Sequence, residues 1–277
     1  MPAAFTPSPS IGANDPPLLD GPPTNATTAR ELLNNRRFLR GATWGALTWS
    51  GRLVVGGSAA APSITVGAIE AVTLRDGAGV WRPYFKDTET VLGIGDVEGA
   101  PASLSADTWH YVYAHDSAGS GSPHFQVSTT APGTSLAWKN AGGTALYRYL
   151  GCFPTDDTGT PVPLVAHRGR YVYRRSASTT QTRVLNLSAD APTNTDLSLA
   201  GLVPPHARIA RLYLNINVGT FNLYAKPDTA SPHFSIVVPS GAIHTAETAI
   251  ECDASQAVQY TFTSHGNALV YVAGFEE

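Results

Sequence analysis

Charge is the first thing this chain is short of. Asp, Glu, Lys and Arg make up 14% of its 277 residues, well below the roughly 25% of an average soluble domain. The formal net charge of -3 supplies no broad positive field, so neither nucleic acid nor an anionic membrane surface is an expected partner. Sulfur is scarce too. Two cysteines, Cys152 and Cys252, and one methionine exclude a disulfide-stapled mini-domain, and both thiols are expected to be buried and unbridged. Long apolar runs are also missing. Nothing approaches the roughly 18 uncharged apolar residues of a membrane helix, and the opening MPAAFTPSPS lacks a basic start and an apolar h-region. A soluble chain with no membrane insertion and no standard export signal is expected.

Catalytic signatures are absent in the same way. There is no Gly-x-Ser-x-Gly elbow, no Walker A sequence, no Gly-x-Gly-x-x-Gly opening a helix and no His-Glu-x-x-His, which removes the commonest nucleophile, phosphate and zinc signals. The densest titratable group is His110 and His115 with Asp107 and Asp116, and ordinary strand and turn roles account for it. Asp156-Asp157-Thr158-Gly159 has oxygen ligands but not the spacing of a calcium loop, and reads as a turn with glycine at positive φ. No catalytic residue, cofactor or metal is expected, and the chain is not expected to be an enzyme.

What is present points to β structure. Glycine (26) and proline (21) are abundant, and from Gly41 onward short apolar or alternating runs are separated by Gly, Pro, Asn, Asp and Ser, the pattern of antiparallel strands. Period two puts Trp109, Tyr111 and Tyr113 on one strand face, with His110 and Val112 on the other. Val258, Tyr260 and Phe262 alternate with Gln259 and Thr261 in the same way. The unbroken apolar run Ala268 to Val272 predicts a strand covered on both faces.

Residues 1–28 differ. They hold seven prolines and no hydrophobic period, which predicts an extended arm. Thr28 and Glu31 then match a capping box and Gly41 a helix stop, predicting one short helix over 29–40. At about three turns it is marginal alone, so Leu32, Leu33, Phe38 and Leu39 need something to pack on, and Arg36 and Arg37 suit an acidic partner. These six residues are the candidate attachment or oligomer interface.

The expected domains are the arm 1–28, the helix 29–40, a first β domain over 41–160 and a second over 161–277. The boundary is placed between Tyr147 and Arg175, at Pro-rich TDDTGTPVP. Both domains are expected to be antiparallel β-sandwiches or jelly rolls. Tyr-Ala, a turn-rich stretch and Ser-Pro-His-Phe occur at Tyr113 to Phe125 and again at Tyr224 to Phe234, the trace that duplication of one unit would leave. His124 and His233 then read as matched strand starts, since proline fits a strand's first position.

Several stretches carry a family resemblance: LTWSGRLVVGGS and ITVGAIEAVTLRDGAGVW between 47 and 81, TWHYVYAHD and FQVSTTAPG between 108 and 133, LYRYLGCFPTDDTG at 146–159, and LAGLVPPHARIA at 199–210. They resemble proteins encoded among the tail-fibre and virion structural genes of tailed bacteriophages. The resemblance implies a virion location, an N-terminal attachment region that meets other virion proteins through residues 1–40, β-rich distal domains, and homo-oligomers, commonly trimers. No heptad shaft or short β repeat is present, so a compact appendage such as a short tail fibre, head fibre or spike fits better than a long rod. Display of the β domains is the implied role, with a host-surface glycan as one candidate ligand; the resemblance implies no particular receptor. The alternatives are a carbohydrate-binding module using members of the set Trp44, Trp49, Trp81, Trp109 and Trp138, or a polysaccharide-degrading enzyme whose carboxylates are paired only in space.

Overall fold

A computed structural model of the chain describes residues 52–75, 81–116, 123–132, 147–167, 169–174, 179–226, 232–263 and 266–277. The chain divides into two units, Met1–Ala46 and Leu47–Glu277, and every described residue belongs to the second. The expected arm over 1–28 and helix over 29–40 therefore lie outside the described residues. Within them the fold is all-β and antiparallel, with no helix of seven or more residues.

The first strands are β1 (Arg52–Gly57), β2 (Pro62–Val66), β3 (Ile69–Arg75), β4 (Trp81–Lys86) and β5 (Thr90–Leu92). Next come β6 (Trp109–His115), β7 (His124–Ser128), β8 (Arg148–Pro154), β9 (Leu164–His167) and β10 (Arg170–Tyr173). The chain ends with β11 (Arg183–Leu187), β12 (Ala191–Ser198), β13 (Ile209–Ala225), β14 (Phe234–Glu251), β15 (Ala257–Thr263) and β16 (Asn267–Glu276). One large sheet runs β12-β15-β13-β16-β10-β9-β1-β2-β5, with β11 also on β16 and β14 on β13. A smaller sheet has the order β7-β6-β8, and β3 with β4 forms a two-stranded ribbon.

The large sheet turns a corner inside β13. Its first half, Ile209 to Asn217, pairs with β16, and its second half, Thr220 to Ala225, pairs with β15. Between them Val218 and Gly219 take φ of 61° and 113°, a left-handed step that bends the strand, as strands shared by two sheet segments do. The buried positions change parity there: Ala210, Leu212, Leu214 and Ile216 before the step, Phe221 and Leu223 after it. A residue of period two would otherwise flip to the solvent face, so the irregularity at Val218, opposite residues 239–242 of β14, keeps both halves facing the core. Fully burying each of Leu212, Leu214 and Ile216 contributes about 1.5–3 kcal/mol.

A second parity change lies in β16. Arg211 opposes Gly274 and Leu212 opposes Val272, leaving Ala273 as a bulge. Ala268, Val270 and Val272 are buried before it and Phe275 after it. The bulge also aims Phe275 at Tyr171 of β10, with which it stacks at 4.2 Å and 13°. Gly274 is required by space: a Cβ there would lie 1.9 Å from the Tyr171 carbonyl oxygen. The expectation that Ala268 to Val272 is covered on both faces needs correction, because Leu269 and Tyr271 remain partly exposed. Tyr213 of β13 covers part of that outer face by packing against Tyr271 at 6.0 Å.

The small sheet lies against the large one. On β8, Gly151 faces Leu53 of β1 and the Tyr171 ring, closely enough that a Cβ would meet the Tyr171 hydroxyl at 2.9 Å and Leu53 at 3.0 Å. Trp109 of β6 meets Phe275 edge-on at 5.8 Å. The result is sandwich-like. The β3–β4 ribbon adds buried Val72, Leu74 and Tyr84.

The boundary expected near 160 does not separate two sheets. Leu53 of β1 pairs with Ala166 of β9, and β1, β2 and β5 extend the same sheet that holds β9 to β16. Sequence order hides this because an antiparallel neighbour can be recruited from any distance along the chain. The two echo segments do occupy equivalent places. Each is a hairpin, β6–β7 and β13–β14, whose first strand then accepts the following strand, β8 or β15, on its other edge.

Candidate functional site

The six residues picked out by sequence, Leu32, Leu33, Arg36, Arg37, Phe38 and Leu39, lie outside the described residues, as do Trp44, Trp49 and Trp138. Trp109 is described and is used internally: its indole N–H donates to the Ala200 carbonyl at 3.0 Å while its ring packs on Phe275.

The titratable group around His110 is dispersed by the fold. His110 is buried, stacks on Phe153 at 5.2 Å and lies 3.1 Å through Nδ1 from the Thr108 carbonyl, a contact that suits a neutral ring with its proton on Nδ1. Burial lowers its pKa, and the Thr108 contact opposes this only in part. Asp116 is buried and accepts the Tyr84 hydroxyl at 2.5 Å. His115 packs on His124, its cross-strand partner, at 5.9 Å, and Asp107 is exposed. The Asp156 segment is the expected turn: Gly159 has φ of 80°, and Asp156 Oδ1 accepts from the Thr158 amide and hydroxyl and the Thr160 amide. Burial works to raise the Asp156 pKa, but these bonds and one from Gln181 bring it below its ordinary value.

The side chains that do converge come from places that sequence spacing does not connect. On β8, Tyr113 opposes Tyr149 and Val112 opposes Gly151, so Leu150 is an extra residue. That bulge turns Tyr149 and Cys152, three positions apart, onto the same face, alongside Tyr111 and Tyr113. His206 approaches from the loop before β13. Glu277 follows β16, and its backbone N–H donates a hydrogen bond to the Gly169 carbonyl at 3.0 Å.

One carboxylate oxygen gathers them. Glu277 Oε1 accepts from the Tyr149 hydroxyl at 2.5 Å, lies 2.7 Å from His206 Nε2, and accepts from the Cys152 thiol at 3.4 Å. Tyr149 Oη is also 3.2 Å from His206 Nε2 and 3.4 Å from Tyr171 Oη. Cys152 is fully buried, whereas the His206 and Glu277 side chains keep 28% and 16% of their surface, so the cluster opens toward solvent on that side.

Burial dominates the electrostatics here. It pushes the Cys152 thiol well up, and the nearby Glu277 carboxylate adds to the effect. Tyr149 and Tyr171 are raised for the same first reason, and Tyr111 reaches about 12. Cys252 is unbridged and half-buried, with burial raising it to about 11. Burial thus works against the thiolate at both cysteines, the form a cysteine nucleophile needs.

No protein-family model and no curated protein matches this sequence.

A second feature is a surface. β14 runs for 18 residues and pairs only with β13, so its far edge has no strand partner among the described residues. From Phe234 to Ala246 it carries no Asp, Glu, Lys or Arg. Val237 and Ile243 on its outer face are 70% and 67% exposed. Native edges are usually blunted by charge, proline or a bulge. This one has Pro239 and an irregularity between Val238 and Ile243, with the exposed Val237 and Ile243 on either side of it.

Proposed function

We propose that the chain is a structural subunit of a tailed-phage virion appendage, a short tail fibre, head fibre or spike, that acts without catalysis. Residues 1–40 anchor it to other virion proteins, with Leu32, Leu33, Phe38 and Leu39 packing and Arg36 and Arg37 meeting acidic groups. The β unit self-associates, in threes, and is displayed to the host surface.

The observation that carries this reading is the β13–β14 ribbon. An edge strand that is uncharged from Phe234 to Ala246 and exposes Val237 and Ile243 is a liability for a free monomer and an asset for an assembling subunit. The likeness of the stretches at 47–81, 108–133, 146–159 and 199–210 to virion structural proteins supports it from the sequence side. Burial works against the thiolate at Cys152, and Trp109 is used internally, which fits a subunit that acts by assembly.

Complementation tests the anchoring half. A chain lacking residues 1–28, supplied to a phage whose own copy is deleted, is expected to fold and to be missing from purified particles. Normal incorporation would refute it. A glycan array tests display: a narrow set of bound host glycans supports receptor binding, and release of reducing sugar from host polysaccharide would instead establish an enzyme.

A further inference from the structure

We propose that Cys152, His206 and Glu277 form a binding site for one thiophilic divalent cation of the zinc type, tying the small sheet to the large one. The three ligand atoms, Sγ, Nε2 and a carboxylate oxygen, lie within 4.8 Å of one another.

The donor set selects the ion. Thiolate, imidazole and carboxylate together match zinc and its cobalt analogue, whereas magnesium and calcium take oxygen ligands. Two of the three spacings are near what such an ion needs, and the third, Sγ to Nε2, lies within 4.8 Å and would close by up to about 1.2 Å on binding. Zinc bonds of about 2.0–2.3 Å in a tetrahedron put ligand atoms roughly 3.3–3.6 Å apart. Sγ to Oε1 is already 3.4 Å, and Nε2 to Oε1 is 2.7 Å, so the imidazole and carboxylate need to part by roughly half an ångström to reach that tetrahedral spacing. His206 lies in a loop and Glu277 beyond the last strand, and neither side chain is fully enclosed. Cys152 is the fixed point, set within β8.

The hydrogen bonding also points to a centre. One carboxylate oxygen has two lone pairs, yet Oε1 is approached by three groups, Tyr149, His206 and Cys152. A cation takes Nε2, Sγ and Oε1 as ligands and leaves Tyr149 as the hydrogen-bond donor that orients the carboxylate, the usual second layer of such sites. Water reaches the fourth position from the partly exposed side of His206 and Glu277. The consequence is mechanical: β8 becomes linked to the loop before β13 and to the residue after β16, and the cation's binding energy adds to folding stability.

Cobalt titration of the chelator-treated full chain tests this. The expected result is one equivalent bound, with a thiolate-to-cobalt charge-transfer band in the near ultraviolet, intense tetrahedral bands in the visible, their loss on adding zinc, and a higher Tm with zinc. Cys152→Ser should abolish the charge-transfer band, while Cys252→Ser keeps it. His206→Ala, a partly exposed loop change whose fold is checked by circular dichroism, should weaken cobalt binding at least tenfold. The proposal is overturned if the native chain shows no charge-transfer band, if Cys152→Ser retains it, or if folded His206→Ala binds cobalt as tightly as the native chain.

Discussion

Gly274→Ala is the substitution whose cost follows most directly from the structure. Gly274 sits between β10 and β13, opposite Val172 and Arg211. A methyl group there would lie 1.9 Å from the Tyr171 carbonyl oxygen, 3.0 Å from its carbon and 3.2 Å from Val172 Cα. All three are backbone atoms, so no side chain can swing aside, and the two strands must separate by roughly 1.5 Å to regain ordinary contact. The short ladder Arg170 to Glu276, Tyr171 to Phe275 and Val172 to Gly274 is then strained or lost. At about 0.5–1.5 kcal/mol for each hydrogen bond and a similar amount for the Tyr171–Phe275 stack, the expected loss is about 2–5 kcal/mol, a large share of a typical stability of about 5–15 kcal/mol. Guanidinium unfolding followed by tryptophan fluorescence measures it. The matched control is Gly56→Ala in β1, where a Cβ meets nothing within 4 Å and the expected change is a gain of about 0.4–1 kcal/mol from a stiffer unfolded chain. If Gly274→Ala unfolds within about 0.5 kcal/mol of the native chain, the close packing of β16 on β10 is wrong.

Three further outcomes are expected. His110 is neutral in the fold with a lowered pKa, so the unfolded chain takes up its proton first: this contribution is complete above about pH 6.5 and is lost as pH falls below it, with a slope no steeper than about 1.4 kcal/mol per pH unit. His110→Phe keeps the stack on Phe153 and leaves the Thr108 carbonyl bonded to the Thr155 amide, and so should flatten the acid limb of Tm against pH; an unchanged limb would assign it elsewhere. Tyr173→Phe removes the buried donor to the Leu202 carbonyl at 2.6 Å and should cost about 1–3 kcal/mol in urea unfolding. Under native conditions at pH 8 a disulfide-exchange reagent should leave Cys152 unmodified and label Cys252 slowly, because the first is fully buried and burial holds the second at about 11; rapid labelling of both would contradict the packing.

Strand character was legible wherever a strand keeps its period. Tyr111 and Tyr113 share a face with Tyr149 and Cys152, opposite His110, as alternation predicts, and Val258, Tyr260 and Phe262 of β15 are all buried. Legibility ended at the bulges. Irregularities at Leu150, Val218 and Ala273 each reverse the alternation, and no local composition marks them except the glycines beside them at 151, 219 and 274. The pairing of β1 with β9 was hidden for a different reason: a Pro-rich segment resembles a linker whether or not the strands on its two sides meet again. The Cys152, His206 and Glu277 cluster needed all of this at once, since a bulge, a loop and the residue after the last strand supply one ligand each. The exposed edge of β14 was not read from sequence, because an uncharged run such as Phe234 to Ala246 does not say whether its strand lies inside a sheet or at its edge.

Sedimentation of the full chain at micromolar concentration tests assembly most directly. A virion appendage subunit should run as a stable oligomer with the mass of three 29.1 kDa chains, and Val237→Lys with Ile243→Lys should shift it toward one. A native chain that stays at the mass of a single copy across that range would contradict the account.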